Sequence, residues 1–433
     1  MQRLRQFQHE GFQDAFDAVL GAAYHRAADV GEVLATAARV QDGDADSWLR
    51  EWTATAGGAW VAAGRAERAG HRASALEHHL RAGTYYAAAL RHVALTDQSV
   101  NELDLWRRQR ECWDRAVALF PVPGEHIAIP YERTSLPGYY FCAPGARPGE
   151  PRPLVVLNNG SDTVTSDMLL RGGAAAAIRG YHWMTFDGPG QQAALYRQGL
   201  RFRPDWAAVL TPVFDAMAAR TDVDAERIAV IGVGQAGFWV PRALAFEHRF
   251  AAAVADPGVV DVATSWTATV PQVMREALIR GERERFDREM HLAQLFAPET
   301  KTLLEARAAP YGGLNGSAYD LFTRVASYRL GDEVEQIVTP LLITSSTAER
   351  RWPGQSRTLF EHLPGPRHLV EFSAAEGADG QGEPLAPALR ETRIFDWLDG
   401  RLRAASSSAS DARTGRGSCC RGSASPREPP SAT

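Results

Sequence analysis

Gly232-Val233-Gly234-Gln235-Ala236 has the spacing of the G-x-S-x-G turn, which lifts a serine hydroxyl off the end of a strand to attack an acyl carbon, but glycine stands at the attacking position. A residue without a side chain cannot form an acyl-enzyme. Such a turn needs a strand before it and a helix after it. Arg227-Ile228-Ala229-Val230-Ile231 is a short apolar run suited to the first, and Phe238 to Phe246 reads as the start of the second. Glycine also relieves the positive φ the turn imposes, worth about 1–3 kcal/mol for a residue with a Cβ.

The elements that must hold this turn follow from periodicity. From Phe7 to Leu119 the pattern is helical, with Asp44 or Asp46 as a cap before Trp48 and Trp52, and with Gly70 and Gly83 as breaks between helices. Trp48, Trp52, Trp60, Tyr85 and Tyr86 recur at helical spacing and read as core. After Pro121-Val122-Pro123-Gly124 the period becomes strand-like, with Glu125 to Tyr131, a turn at Leu136-Pro137-Gly138, and Tyr139 to Phe141. Apolar strands then alternate with helices at Leu154–Leu157, Trp183–Phe186, Ile228–Ile231, Ala251–Ala255, Leu341–Thr344 and Leu369–Phe372. This predicts an α/β fold with a mostly parallel sheet, flanking helices, and a ligand site beyond the C-terminal strand ends. The expected organisation is a helical N-terminal domain (1–120), a first core part (121–260), a helical lid insertion (261–335), a last core part (336–403) and a disordered Ser/Arg/Pro/Gly-rich tail (404–433).

A chain of 433 residues can bury a large core and enclose a sizeable site. Its net charge of −5 and the lack of a basic stripe with interleaved aromatics argue against a nucleic-acid partner. No apolar run is long enough to cross a bilayer and no secretory signal is visible, so a cytoplasmic protein with no membrane partner is expected. Cys112 and Cys142 are isolated and Cys419-Cys420 lie in the tail, which fits neither a disulfide framework nor a zinc site. The expected partner is a small-molecule substrate, with no cofactor and no metal; a homodimer is compatible with the chain.

Ser47 to Trp52, Asn158-Asn159-Gly160-Ser161-Asp162, Phe186 to Gln191, the glycine turn and Trp352-Pro353-Gly354-Gln355-Ser356 occur in an order that resembles the α/β-hydrolase superfamily. Within it the chain is similar to the group of 2,6-dihydroxypseudooxynicotine hydrolase-like and fermentation-respiration-switch-like esterases, from about Asp42 to Leu402. The resemblance implies an α/β-hydrolase fold and a Ser-Asp-His triad whose three positions are altered: Gly234 for the serine, Ser345 for the acid and Gln381 for the histidine. The triad would then be lost by divergence. It also implies an oxyanion hole made by the N–H of Gln235 and one near Gly160 or Ser161.

Among the remaining polar residues, Asp162 is the first candidate for a general base or orienting group, against a role in bracing its loop or capping a helix. Asp256, at the end of a strand, and Glu383, beside Gln381, are further carboxylates near the expected site. Arg350 and Arg351 offer positive charge for an anionic or phenolic substrate, and Trp239 and Trp352 are assigned with them to substrate binding. Gly188-Pro189-Gly190-Gln191-Gln192 lacks a phosphate-loop pattern and reads as a turn at the site rim. His362 and His368 read as surface residues.

Three functions compete. The first is a non-hydrolytic enzyme that orients a large, polycyclic substrate for cyclisation or conjugate addition; the resemblance extends to degenerate members of actinobacterial polyketide and enediyne-type pathways. The second is an inactive binding protein. The third is a hydrolase with a relocated nucleophile such as Ser161 or Ser345.

Overall fold

The computed structural model describes residues 5–96 and 101–414. Five helices precede the first strand: α1 (Glu10–Gly21), α2 (Val30–Ala37), α3 (Ala45–Arg68), α4 (Arg72–Leu90) and α5 (Glu102–Leu119). Asp44 caps α3 by accepting from the Ser47 N–H at 3.0 Å. Trp48, Trp52, Tyr85 and Tyr86 are buried, whereas Trp60 is half-buried. Gly83 does not break a helix as its residue type suggests. It lies inside α4, where an added Cβ would stand 3.4 Å from the Cβ of Cys112, so its small size lets α4 pack closely on α5.

Eight strands follow: β1 (Glu125–Tyr131), β2 (Thr134–Phe141), β3 (Arg152–Asn158), β4 (His182–Phe186), β5 (Val223–Val233), β6 (Ala252–Asp256), β7 (Leu341–Ser346) and β8 (Arg367–Phe372). They form one sheet in the order β1-β2-β4-β3-β5-β6-β7-β8. β1 and β2 are antiparallel, and β4, β3, β5, β6, β7 and β8 run parallel. The hairpin turn falls at Glu132-Arg133 rather than at Leu136-Pro137-Gly138. Those three residues lie within β2, and Pro137, which has no N–H, stands just before the β2–β4 ladder begins at Gly138.

Strand side chains alternate between two cores. Leu154, Val156, Ile228, Val230, Leu341 and Ile343 join one apolar cluster; Val155, Leu157, Ala229, Ile231 and Leu342 join the other. Both faces are buried, so these strands read as continuous apolar runs. The first cluster contains α8 (Ala207–Ala218), α9 (Ala236–Leu244) and residues inserted between β6 and β7; the second contains the N-terminal helices and α16 (Pro387–Thr414). The short helices α6 (Ala174–Ile178) and α7 (Gln192–Gln198) complete the part before β5.

Between β6 and β7 the chain forms α10 (Thr264–Thr267), α11 (Gln272–Ile279), α12 (Arg283–Phe296), α13 (Pro298–Ala308) and α14 (Ala318–Ala326). The two ends of this insert meet, with Val262 N–H on Tyr328 O at 3.0 Å and Leu330 N–H on Val260 O at 2.8 Å. After β7, α15 (Gln355–His362) leads to β8. The last helix runs to Thr414, so the segment expected to be disordered from Ala404 begins as helix; residues 415–433, with Cys419 and Cys420, lie outside the described residues. Cys112 and Cys142 are free thiols. No described helix is long and apolar enough to cross a membrane.

Candidate active site

Parallel strands bring the loops after β3, β5, β6, β7 and β8 to one edge of the sheet. At the end of β5 the backbone turns at Gly234, with φ 62°, and enters α9. The Gly234 N–H donates to the Asp256 carbonyl at 2.7 Å, which ties the turn to the end of β6. A Cβ at Gly234 would meet nothing nearer than the Gly160 Cα at 3.9 Å. Its neighbours have no such room: a Cβ at Gly237 would lie 1.7 Å from Pro257 O, and one at Gly232 would lie 2.3 Å from Ala236 O. Glycine is therefore a packing requirement at 232 and 237, and at 234 a matter of backbone conformation alone.

The loop after β3 approaches this turn closely. A Cβ at Gly160 would stand 3.0 Å from Val233 O and 3.7 Å from Gln235 N. Gln191 clamps the loop from beneath: its Nε2 donates to Asn159 O at 2.6 Å and Gly160 O at 2.8 Å, while its Oε1 accepts from Gly188 N–H at 2.7 Å. The Gly160 N–H is occupied by Asn159 Oδ1 at 2.9 Å. Among the described residues, the N–H groups of Ser161 and Gln235 have no acceptor. Of the two sequence candidates in the β3 loop, Gly160 has its N–H taken and Ser161 does not.

The loop after β7 differs from expectation. β7 continues through Ser346, so Ser345 lies within the strand, opposite Glu371, and is not in the loop. Glu349 is the first carboxylate of that loop. Its Oε1 accepts from the N–H groups of Arg351 at 2.7 Å and Trp352 at 3.1 Å, and its Oε2 is buried with no hydrogen-bond partner. A sequence signal existed, since Glu349 was the only acid between the strand and Trp352. The loop after β8 carries Gln381, which is half-buried, and no histidine follows His368 in the chain. His362 and His368 are exposed.

Several assigned binding residues do not line open space. Trp239 is fully buried and stacks on Trp206 with ring centroids 4.2 Å apart, because α9 is enclosed by the insert and α8. Trp352 is also in the apolar core. Arg350 reaches the N-terminal helices, pairing with Glu10 at 3.0 Å and Asp14 at 2.5 Å. Asp256 and Glu383, 1% and 2% exposed, flank Arg390 of α16. Asp256 accepts from Arg390 Nε at 2.8 Å and Thr344 Oγ1 at 2.6 Å, and Glu383 Oε2 lies 3.8 Å from Arg390 Nε. Burial acts to raise the Asp256 carboxyl, but Arg390, Thr344 and Arg171 outweigh it and hold it below the ordinary aspartate value. Glu383 goes the other way: burial and the Asp256 charge push it well above the ordinary glutamate value. These carboxylates form a charged floor behind the turn.

Asp162 and Arg351 do remain accessible, at 46% and 44%, and pair at 2.9 Å. Burial acts to raise Asp162, but Arg351, Arg91 and Arg307 overcome it and hold the carboxyl down at about 2. Such a carboxylate is a weak base at neutral pH. Both side chains are exposed, so the guanidinium and the carboxylate are open to a ligand. The charges around Asp162 come from three other parts of the chain: Arg91 after α4, Arg307 of α13 and Arg351 of the β7 loop. The same insert supplies Tyr311, whose hydroxyl donates to Gln235 Oε1 at 2.8 Å. Neither Arg307 nor Tyr311 was among the sequence candidates. Among the described residues, no group of three or more His, Cys, Asp or Glu is placed to hold a metal ion.

This strand order, with its turn after β5 and its helical insert after β6, is the α/β-hydrolase fold. The 2,6-dihydroxy-pseudo-oxynicotine hydrolase structure superposes with a TM-score of 0.67 at 19% identity, over 89% of this chain and 96% of that one. By sequence, the chain is similar to hydrolase LUC6 of a Fusarium species, 28% identical over 401 residues, or 90% of this chain and 96% of the relative. It is also 32% identical over 262 residues to the 20-hydroxy-prefusarin hydrolase FUS2 of Gibberella moniliformis, covering 59% of this chain and 62% of that protein. This second match spans less than two thirds of the relative's length. No family model matches the chain.

Proposed function

We propose that this protein is a non-hydrolytic enzyme built on the hydrolase fold, which promotes cyclisation or carbon–carbon bond formation in natural-product (polyketide) biosynthesis. The observation that carries this reading is Gly234, a turn residue at φ 62° with room for a Cβ, followed in the chain by the unbonded Gln235 N–H and approached by Gly160 of the β3 loop. The triad is read as lost, since no histidine occupies the loop after β8. The relative FUS2 is named for action on 20-hydroxy-prefusarin, and a substrate of comparable kind is carried over to this chain.

In a Michael-type addition, the carbon of an enolised donor attacks the β-carbon of an unsaturated carbonyl. One carbon–carbon bond forms, the acceptor π electrons move to its oxygen, and the resulting enolate is held by the Ser161 and Gln235 N–H groups. The proton lost from the donor carbon is balanced by one gained at the acceptor α-carbon. Donor and acceptor belong to one molecule and no water enters, so product and substrate are isomers. Alignment in an enclosed site supplies up to about 7–11 kcal/mol, and one oxyanion donor about 3–4 kcal/mol, without a covalent step.

The test is product mass. Incubation with compounds carrying an enolisable 1,3-dicarbonyl and an unsaturated ketone is expected to give an isomer at an enzyme-dependent rate. Products heavier by one water would support a relocated nucleophile, and binding without conversion would support an inactive binding protein; either outcome overturns the proposal.

A further inference from the structure

Arg307 stands out among the charged groups that act on Asp162. It is the last-turn arginine of α13, and its guanidinium lies over the Trp266 ring with Cζ 4.1 Å from the centroid. Nη1 donates to Ser265 O at 3.2 Å and Nη2 to Ser265 Oγ at 2.8 Å. These bonds fix its position and use two of its five donors. No carboxylate pairs with it among the described residues, whereas Arg351 is neutralised by Asp162. The same Trp266 ring meets Tyr311 edge-on, centroids 5.3 Å apart, and the Tyr311 hydroxyl binds the Gln235 side chain. Trp266 therefore serves as a platform that links a cation without a paired carboxylate, through three successive contacts, to the Gln235 side chain. The Arg307 side chain is exposed, and its remaining donors are open to a ligand.

We infer that Arg307 is an anion-binding subsite for substrate, which takes a carboxylate or a delocalised enolate or phenolate beside the Gly234 turn. Resting on the reading of that turn as a substrate site, this narrows the substrate to one with an acidic group a short distance from the reacting carbonyl. A planar guanidinium with open donors recognises such groups in two-point fashion. A structural role for Arg307, strapping α13 to the Ser265 segment, would use the same two bonds but needs no charge selectivity.

The test uses the full chain, with benzoate and its neutral isostere benzamide as probes in calorimetric or ligand-observed magnetic-resonance titrations. Wild-type protein is expected to bind benzoate at least about tenfold more tightly than benzamide, a difference of about 1.4 kcal/mol. Arg307→Gln should remove the preference, Arg307→Lys should keep part of it, and Arg350→Gln, outside the cleft, should leave it unchanged. Equal binding of the two probes, no saturable benzoate binding, or a preference that survives Arg307→Gln overturns the inference. Failure of the functional reading shows separately: benzoate then binds through Arg307 while no substrate is converted to an isomer. If only the subsite is wrong, isomerisation proceeds at an unchanged KM in Arg307→Gln.

Discussion

The Tyr311 hydroxyl donates to the Gln235 side chain at 2.8 Å, which joins the insert between β6 and β7 to the residue that follows Gly234. The residue whose N–H is free to hold an oxyanion is thus positioned by an element some 76 residues away. Tyr311→Phe leaves the ring in its apolar setting but frees Gln235, whose side chain is 4% exposed. Loss of this hydrogen bond should cost about 0.5–1.5 kcal/mol of stability. Turnover should fall while KM changes little, as measured by steady-state kinetics, because the donor is needed most when charge develops.

The glycines of the turn should separate by their surroundings. Gly234→Ser fits the open space and should fold, with a loss of about 1–3 kcal/mol from the positive φ. Gly237→Ala puts a Cβ 1.7 Å from a carbonyl oxygen and should lose more than about 3 kcal/mol or fail to accumulate as soluble protein. Urea unfolding midpoints and soluble yields read the contrast directly.

Restoring hydrolysis tests which carboxylate takes the acid position. Gly234→Ser alone should stay inert toward activated esters, as no base is present. Gly234→Ser with Gln381→His should gain measurable esterase activity, with native Glu349 as the orienting acid. Adding Ser345→Asp should bring no further gain, since position 345 lies within β7.

The charged floor gives a pH signature. The folded-state value of Glu383 is raised, so its contribution to stability is present below the unfolded glutamate pKa and is lost as pH rises through the folded value. Asp256 is lowered, and its contribution is lost only as pH falls through its own folded value. Glu383→Gln should therefore flatten the fall in melting temperature that sets in as pH rises above the unfolded glutamate value, and leave the acid limb in place.

Much of this arrangement is legible in the sequence where local pattern and tertiary role coincide. Each core strand is an apolar run, and the Gly232–Ala236 spacing marks the strand-to-helix turn. Ser345 misleads because β7 runs two residues past the apolar stretch, which moves the loop and its acid to Glu349. Trp239 misleads because α9 is covered all round, so proximity to the turn does not give access to the cleft. Arg307 and Tyr311 leave no local trace: their helix and following turn read as ordinary lid sequence, and only packing on Trp266 brings the two together and Tyr311 to Gln235.

A Gly234 turn that binds and does not attack is tested most directly by intact-protein mass after treatment with a fluorophosphonate probe. The prediction is an unmodified mass for wild-type protein under conditions that fully label a serine hydrolase. A single covalent adduct, mapped by peptide sequencing to Ser161, Ser345 or any other serine of the cleft, would contradict it.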